Sequence, residues 1–194
     1  MRTALIVTAL GIASLACNEL RNNESATRQG PLPTTAQATP IKAWTDAQVL
    51  ATMLAIHQGE VDIANAALLK LTNEDARDFA DFMTKTHSAA VRELNSIAAE
   101  QHISPLDNDT SLQLKRDTAV TTTSMAADTP SASFDRAYIT AQVDSHRKVL
   151  QIIDDDLVAN ATNALIKNTI QDMHTSVARH VTMAESVLHR LPPD

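Results

Sequence analysis

From residue 45 onward, apolar residues recur every three or four positions in four long blocks separated by short polar breaks. The first block carries Val49, Met53, Ile56, Ile63 and Ala67, with Glu60 on the same stripe. The second carries Ala76, Phe79, Met83, Ala90, Leu94 and Ile97, interrupted by His87. The third carries Ile139, Val143, Leu150, Ile153 and Leu157, interrupted by His146. The fourth carries Ile166, Ile170, Met173, Val177, Ala184, Val187 and Leu191, interrupted by His180. A period of three to four residues predicts amphipathic helices.

Local chemistry predicts where these helices start and stop. Thr45 and Gln48 form a capping box that opens the first, which runs to about Leu71. Thr72 or Asn73 caps the second, with acids in its first turn, and it runs to about His102 before Pro105. The third begins near Ser133, the stretch 160–163 breaks the chain again, and Pro192 and Pro193 stop the fourth. Residues 103–132 form a long Thr- and Asp-rich connection in which only "SLQLKRDTAV" carries a short helical signal. A connection of that length in a small domain is a crossover or a lid. The expected fold class is all-α, a four-helix bundle with a long connection between helices 2 and 3. No sequence repeat of fixed period is visible.

Each stripe thus holds one polar side chain: Glu60, His87, His146 and His180. At about 1.5 Å of rise per residue, all four fall within about two helical turns in height, whether or not the long connection crosses the bundle. Neutral imidazole nitrogens and a carboxylate are ligands for Zn, Cu or Fe, so one transition-metal ion is the expected cofactor. His57, Met83 and Met173 supply further polar or soft groups about one turn from these positions. The competing reading is a satisfied hydrogen-bond network of Glu and His that sets helix register. His102 and His189 lie near helix C-termini, where the dipole favours a cation. His174 is expected at the bundle edge.

Composition narrows the class of function. Of the 194 residues, 44% are hydrophobic and 3% aromatic, which suits helices better than sheets. A net charge of −7 without Lys/Arg clusters argues against nucleic-acid binding. Arg2 followed by the apolar run 4–16 reads as a secretory leader too short to span a bilayer permanently. It ends at Cys17, the sole cysteine, which is read as a lipid-attachment site. Ser14 stands three residues before it, where lipoprotein leaders carry Leu. Residues 18–43 are polar, contain three prolines and read as a tether with a reach of roughly 30 Å. The expected organisation is a leader over 1–17, a tether over 18–43 and a bundle over 44–191. The nucleophile elbow G-x-S-x-G and the P-loop motif do not occur, so nucleophilic enzyme chemistry is not expected.

Glu60 next to Gly59, "FADFMTKTHSAAVREL", "FDRAYITAQVDSHRKVL" and "ARHVTMAE" together resemble a bacterial family described as "predicted outer membrane protein" and grouped with ferritin-like bundles. The resemblance covers about residues 44–191. It implies a ferritin-like bundle in an exported, outer-membrane or periplasmic protein, and it raises the expectation of metal. Thr86 stands where that family commonly has Asp, and His174 and Thr175 stand where it commonly has Leu-Pro. Thr84, Val143 and Val177 precede the three histidines by three residues, so the Glu-x-x-His pairs of di-iron sites are missing. The expected function is an exported, membrane-tethered bundle handling metal or stress in the envelope. The alternative is a non-enzymatic structural or interaction module. Its expected partners are the membrane, through a lipid anchor, and a second copy or another envelope protein.

Overall fold

The computed structural model describes residues 43–193. The leader, Cys17 and all of the tether but Ala43 lie outside the described residues. The described residues form six α-helices and one π turn: α1 (Asp46–Leu68), α2 (Glu74–Glu100), α3 (Asp109–Ala127), α4 (Ala132–Ile152), the π turn Ile153–Leu157, α5 (Val158–Asn160) and α6 (Ala164–Arg190). No strand occurs among the described residues. The chain is an all-α helical bundle. No described helix is long and apolar enough to cross a membrane.

The caps form where the sequence places them. Thr45 and Gln48 make the reciprocal capping box of α1, Asn73 caps α2, and Asn163 caps α6 through bonds from Leu165 and Ile166. At the far end of α2, His102 adopts φ 52°. The amide of Ile103 donates to the Ala98 carbonyl and that of His102 to the Ala99 carbonyl. This is a Schellman ending with a histidine in the left-handed position that glycine usually takes. What the structure shows at this residue is a conformational role.

Contacts between helix ends establish direction. Asp46 at the start of α1 accepts hydrogen bonds from the Thr162 and Asn163 amides and the Thr162 hydroxyl, just before α6. Asp135 at the start of α4 accepts the matching three bonds from Thr72 and Asn73, just before α2. Asp75 on α2 pairs with Arg190 at the end of α6. α1 and α6 therefore run one way and α2 and α4 the other. α1 packs on α2, α2 on α6, and α6 on α4.

The connection over residues 103–132 differs from the expectation of a mostly irregular segment. It contains α3, a 19-residue helix with its own Asn108–Ser111 capping box. α3 runs back along α1, from Asn108 beside Thr52 to Ala126 and Asp128, whose carbonyls accept from Lys70. The crossover is thus helical and carries the chain from one end of the bundle to the other, so the four long helices have a one-crossover connectivity. Its inward positions, Ser111, Leu114, Thr118, Thr121 and Met125, have helical spacing. Three of the five are Ser or Thr, so a hydrophobic period passes over them. Gly59 makes the close approach possible: a Cβ there would lie 2.6 Å from the Thr118 hydroxyl oxygen.

Candidate metal centre

The core is two apolar clusters with a polar layer between them. One contains Val49, Met53, Ile56, Leu94, Val149, Ile153 and Val177. The other contains Ala64, Phe79, Met83, Ile139, Val143 and Ala184. Between them on the four long helices lie His57 and Glu60 (α1), His87 (α2), Gln142 and His146 (α4) and His180 (α6), all buried. Each is flanked above and below by core residues of its own helix, so packing on both sides holds the layer in place.

His87, His146 and His180 converge. One ring nitrogen of each lies within 4.8 Å of those of the other two. Their ring centroids form a near-equilateral triangle with sides of 5.2, 5.4 and 5.9 Å. The fourth histidine, His57, places Nδ1 2.8 Å from Nδ1 of His87, with ring centroids 5.0 Å apart. The four helices therefore contribute one histidine each, and on α1 that residue is His57.

Tautomers follow from the partners. Nδ1 of His146 sits 2.9 Å from the Gln142 carbonyl. A carbonyl only accepts, so Nδ1 carries the hydrogen and Nε2 carries the lone pair. Nε2 of His180 is 3.4 Å from the Ser176 hydroxyl, which can take its hydrogen and leave the lone pair on Nδ1. If His87 donates from Nδ1 to His57, its Nε2 is also left with a lone pair. These three nitrogens, His87 Nε2, His146 Nε2 and His180 Nδ1, are buried and have no hydrogen-bond partner among the described residues. Each such orphan costs about 1–3 kcal/mol unless something fills it.

The environment keeps the imidazoles neutral. Burial, then the neighbouring His146, lowers His57 to about 4. Burial, then His146, Arg179 and His57, lowers His180 to about 3. Burial, then His57, His146 and His180, holds His87 well below the ordinary histidine value. Neutral imidazole is the ligand form for a transition metal, so binding here would displace no proton from His87 or His180 at neutral pH.

Residues 30–187 match the family described as "Domain of unknown function (DUF4142)". The chain belongs to the DUF4142 family. No curated protein and no solved structure matches it.

Within this DUF4142 domain the sequence-predicted residues separate. His87, His146 and His180 meet. Glu60, one turn beyond His57, is buried but is not part of the close group. Its Oε1 accepts from Ser145 at 3.5 Å, and its Oε2 has no partner among the described residues. Tyr138 and Gln142 present two further buried orphans, the phenol oxygen and Oε1. Burial, then the Glu60 carboxylate, raises the Tyr138 phenol well above its ordinary value.

The sequence reading had put His57 in an outer layer, since a stripe through Val49, Met53 and Ile56 runs on to Glu60. A different signal points to it. His57 follows Asp46 by eleven residues, and His146 follows Asp135 by eleven. Both aspartates clamp a Thr-Asn link, at 162–163 and 72–73. Eleven residues are three helical turns, so the two helical hairpins aim equivalent histidines from equivalent corners.

Proposed function

We propose that this chain binds one transition-metal ion through His87, His146 and His180, and that His57 orients His87 for the task. The observation that carries the reading is the convergence of three buried histidines, each with a ring nitrogen that no group among the described residues satisfies. Three imidazoles leave a fourth position for Glu60, for water or for an exogenous ligand. A histidine-rich set of this kind suits Zn, Cu or Fe. It lacks the bridging carboxylates of a di-iron centre, so binding or buffering fits better than ferroxidase turnover.

The cellular part of the proposal rests on the sequence. The leader over 1–17 and Cys17 support export and lipid tethering, and the polar stretch 18–43 supports a domain held off a membrane. The one-crossover connectivity supports kinship with ferritin-like bundles. Together these point to metal handling or metal-linked stress protection in a bacterial envelope. The second reading, a structural module with a polar core, is favoured by the His57–His87 and His146–Gln142 bonds. It leaves the unpartnered nitrogens of the three converging histidines unexplained.

Elemental analysis of untagged protein separates the two readings. About one equivalent of metal, lost in the double variant His87→Ala, His146→Ala, is expected. No metal, together with unchanged melting on addition of Zn, Cu or Fe, would overturn the metal reading. For the tether, Cys17→Ser should release the protein from the membrane fraction; an unchanged distribution refutes lipidation.

A further inference from the structure

A buried site needs a way in, and the four helices do not close equally around this one. A cavity of about 310 Å³ opens between α2 and α6, and His57, His87 and His180 line it. Two of the orphaned nitrogens, His87 Nε2 and His180 Nδ1, belong to residues on this wall. His87 and His180 are each only 1% exposed, so they form the inner end of the cavity.

The exposed end is acidic. Glu93 and Asp172 line the same cavity, both are exposed, and among the described residues no Lys or Arg lines it. Their placement follows from helix direction. Glu93 lies six residues after His87, roughly 9 Å along α2, and Asp172 lies eight residues before His180, roughly 12 Å along α6. The two helices are antiparallel, so both displacements point the same way, and the two carboxylates end up beside each other in height at one end of the cleft. Ala89 and Ala90 supply only methyl groups to the α2 wall.

We infer that this cleft is the route by which a hydrated divalent transition-metal cation reaches the histidine layer, with Glu93 and Asp172 as its capture groups. This inference rests on the metal reading above. The two carboxylates attract the cation and exchange for part of its water shell. The cation then passes the alanines and meets the ring nitrogens of the histidine layer. Low-dielectric walls lined by one sign of charge raise the local cation concentration and the association rate. The carboxylates therefore govern how fast the site fills, and the histidines govern how tightly it holds.

The test compares full-length wild type with the double variant Glu93→Gln, Asp172→Asn. Stopped-flow mixing with Co(II) is followed by ligand-field absorption, alongside equilibrium titration. The expected result is association slowed about tenfold at low ionic strength, converging with wild type at high salt, with unchanged final stoichiometry. A second variant, Ala90→Lys, places a cation on the wall and should slow uptake further without loss of melting temperature. Equal association rates in all three proteins would overturn the route and leave the metal reading intact. No Co(II) uptake by wild type would overturn both.

Discussion

Nδ1 of His57 and Nδ1 of His87 stand 2.8 Å apart in the centre of the bundle, one imidazole acting as donor and the other as acceptor. The direction of that hydrogen decides whether His87 Nε2 faces its two partner histidines with a lone pair or with a hydrogen. If His57 accepts, His87 is held in the ligand tautomer by an outer group, as metal-bound histidines commonly are.

His57→Phe keeps ring volume and removes the acceptor. It is expected to weaken metal affinity about 10- to 100-fold while leaving stoichiometry intact, because His87 loses its orienting partner. Competition against a chromophoric chelator measures this. Wild-type affinity in the variant would mean that His57 does not orient the site.

Metal-free protein should lose stability in mild acid. His57 and His180 are lowered to about 4 and about 3, and His87 is lowered as well, against about 6.5 for an unfolded chain. Between those values the unfolded chain holds protons that the folded chain does not. Stability is complete above about pH 6.5 and falls as pH drops toward 4, by about 1.4 kcal/mol per pH unit for each histidine. Chemical denaturation at stepped pH reads the slope. Replacing His180 with Phe should make it shallower, and an unchanged slope would count against the assignment.

His102→Gly relieves a left-handed backbone position. The φ of 52° costs a side-chain-bearing residue roughly 1 kcal/mol that glycine avoids. A melting temperature about 3 °C higher is expected, with metal binding untouched. A lower value would show that the imidazole contributes more at the α2 terminus than its backbone strain removes.

Gly59→Ala brings a methyl group within 2.6 Å of the Thr118 hydroxyl and should push α3 away from α1. A loss of about 1–3 kcal/mol is expected. Adding Thr118→Ala removes the clash and leaves the helix-propensity gain of alanine over glycine, about 1 kcal/mol. The double variant should therefore be more stable than Gly59→Ala alone, and a thermal melt of both decides it. If Gly59→Ala is not destabilising, α3 is not held at this distance.

The four long helices were legible because their signals are local. A Thr-x-x-Gln box, Asn caps, terminal prolines and a three-to-four-residue apolar period depend on near neighbours only. His87, His146 and His180 were legible for the same reason, as single interruptions of otherwise apolar stripes. α3 was not, because its inward stripe is largely Ser and Thr and derives its burial from lying on α1 at Gly59. The π turn at Ile153–Leu157 likewise leaves the apolar spacing intact and gives no sign in the pattern.

The sequence by itself determined the helices, their caps and which side chains break the apolar stripes, since those follow from backbone chemistry and spacing along one chain. Only the tertiary structure decided that the crossover is a helix, that α1 presents His57 to the histidine layer with Glu60 one turn beyond, and that a cleft opens between α2 and α6. Those outcomes depend on the relative height and rotation of separate helices. A rotation or slide of a fraction of a turn changes which residue meets its neighbour, and that is settled by how two apolar clusters pack above and below the polar layer.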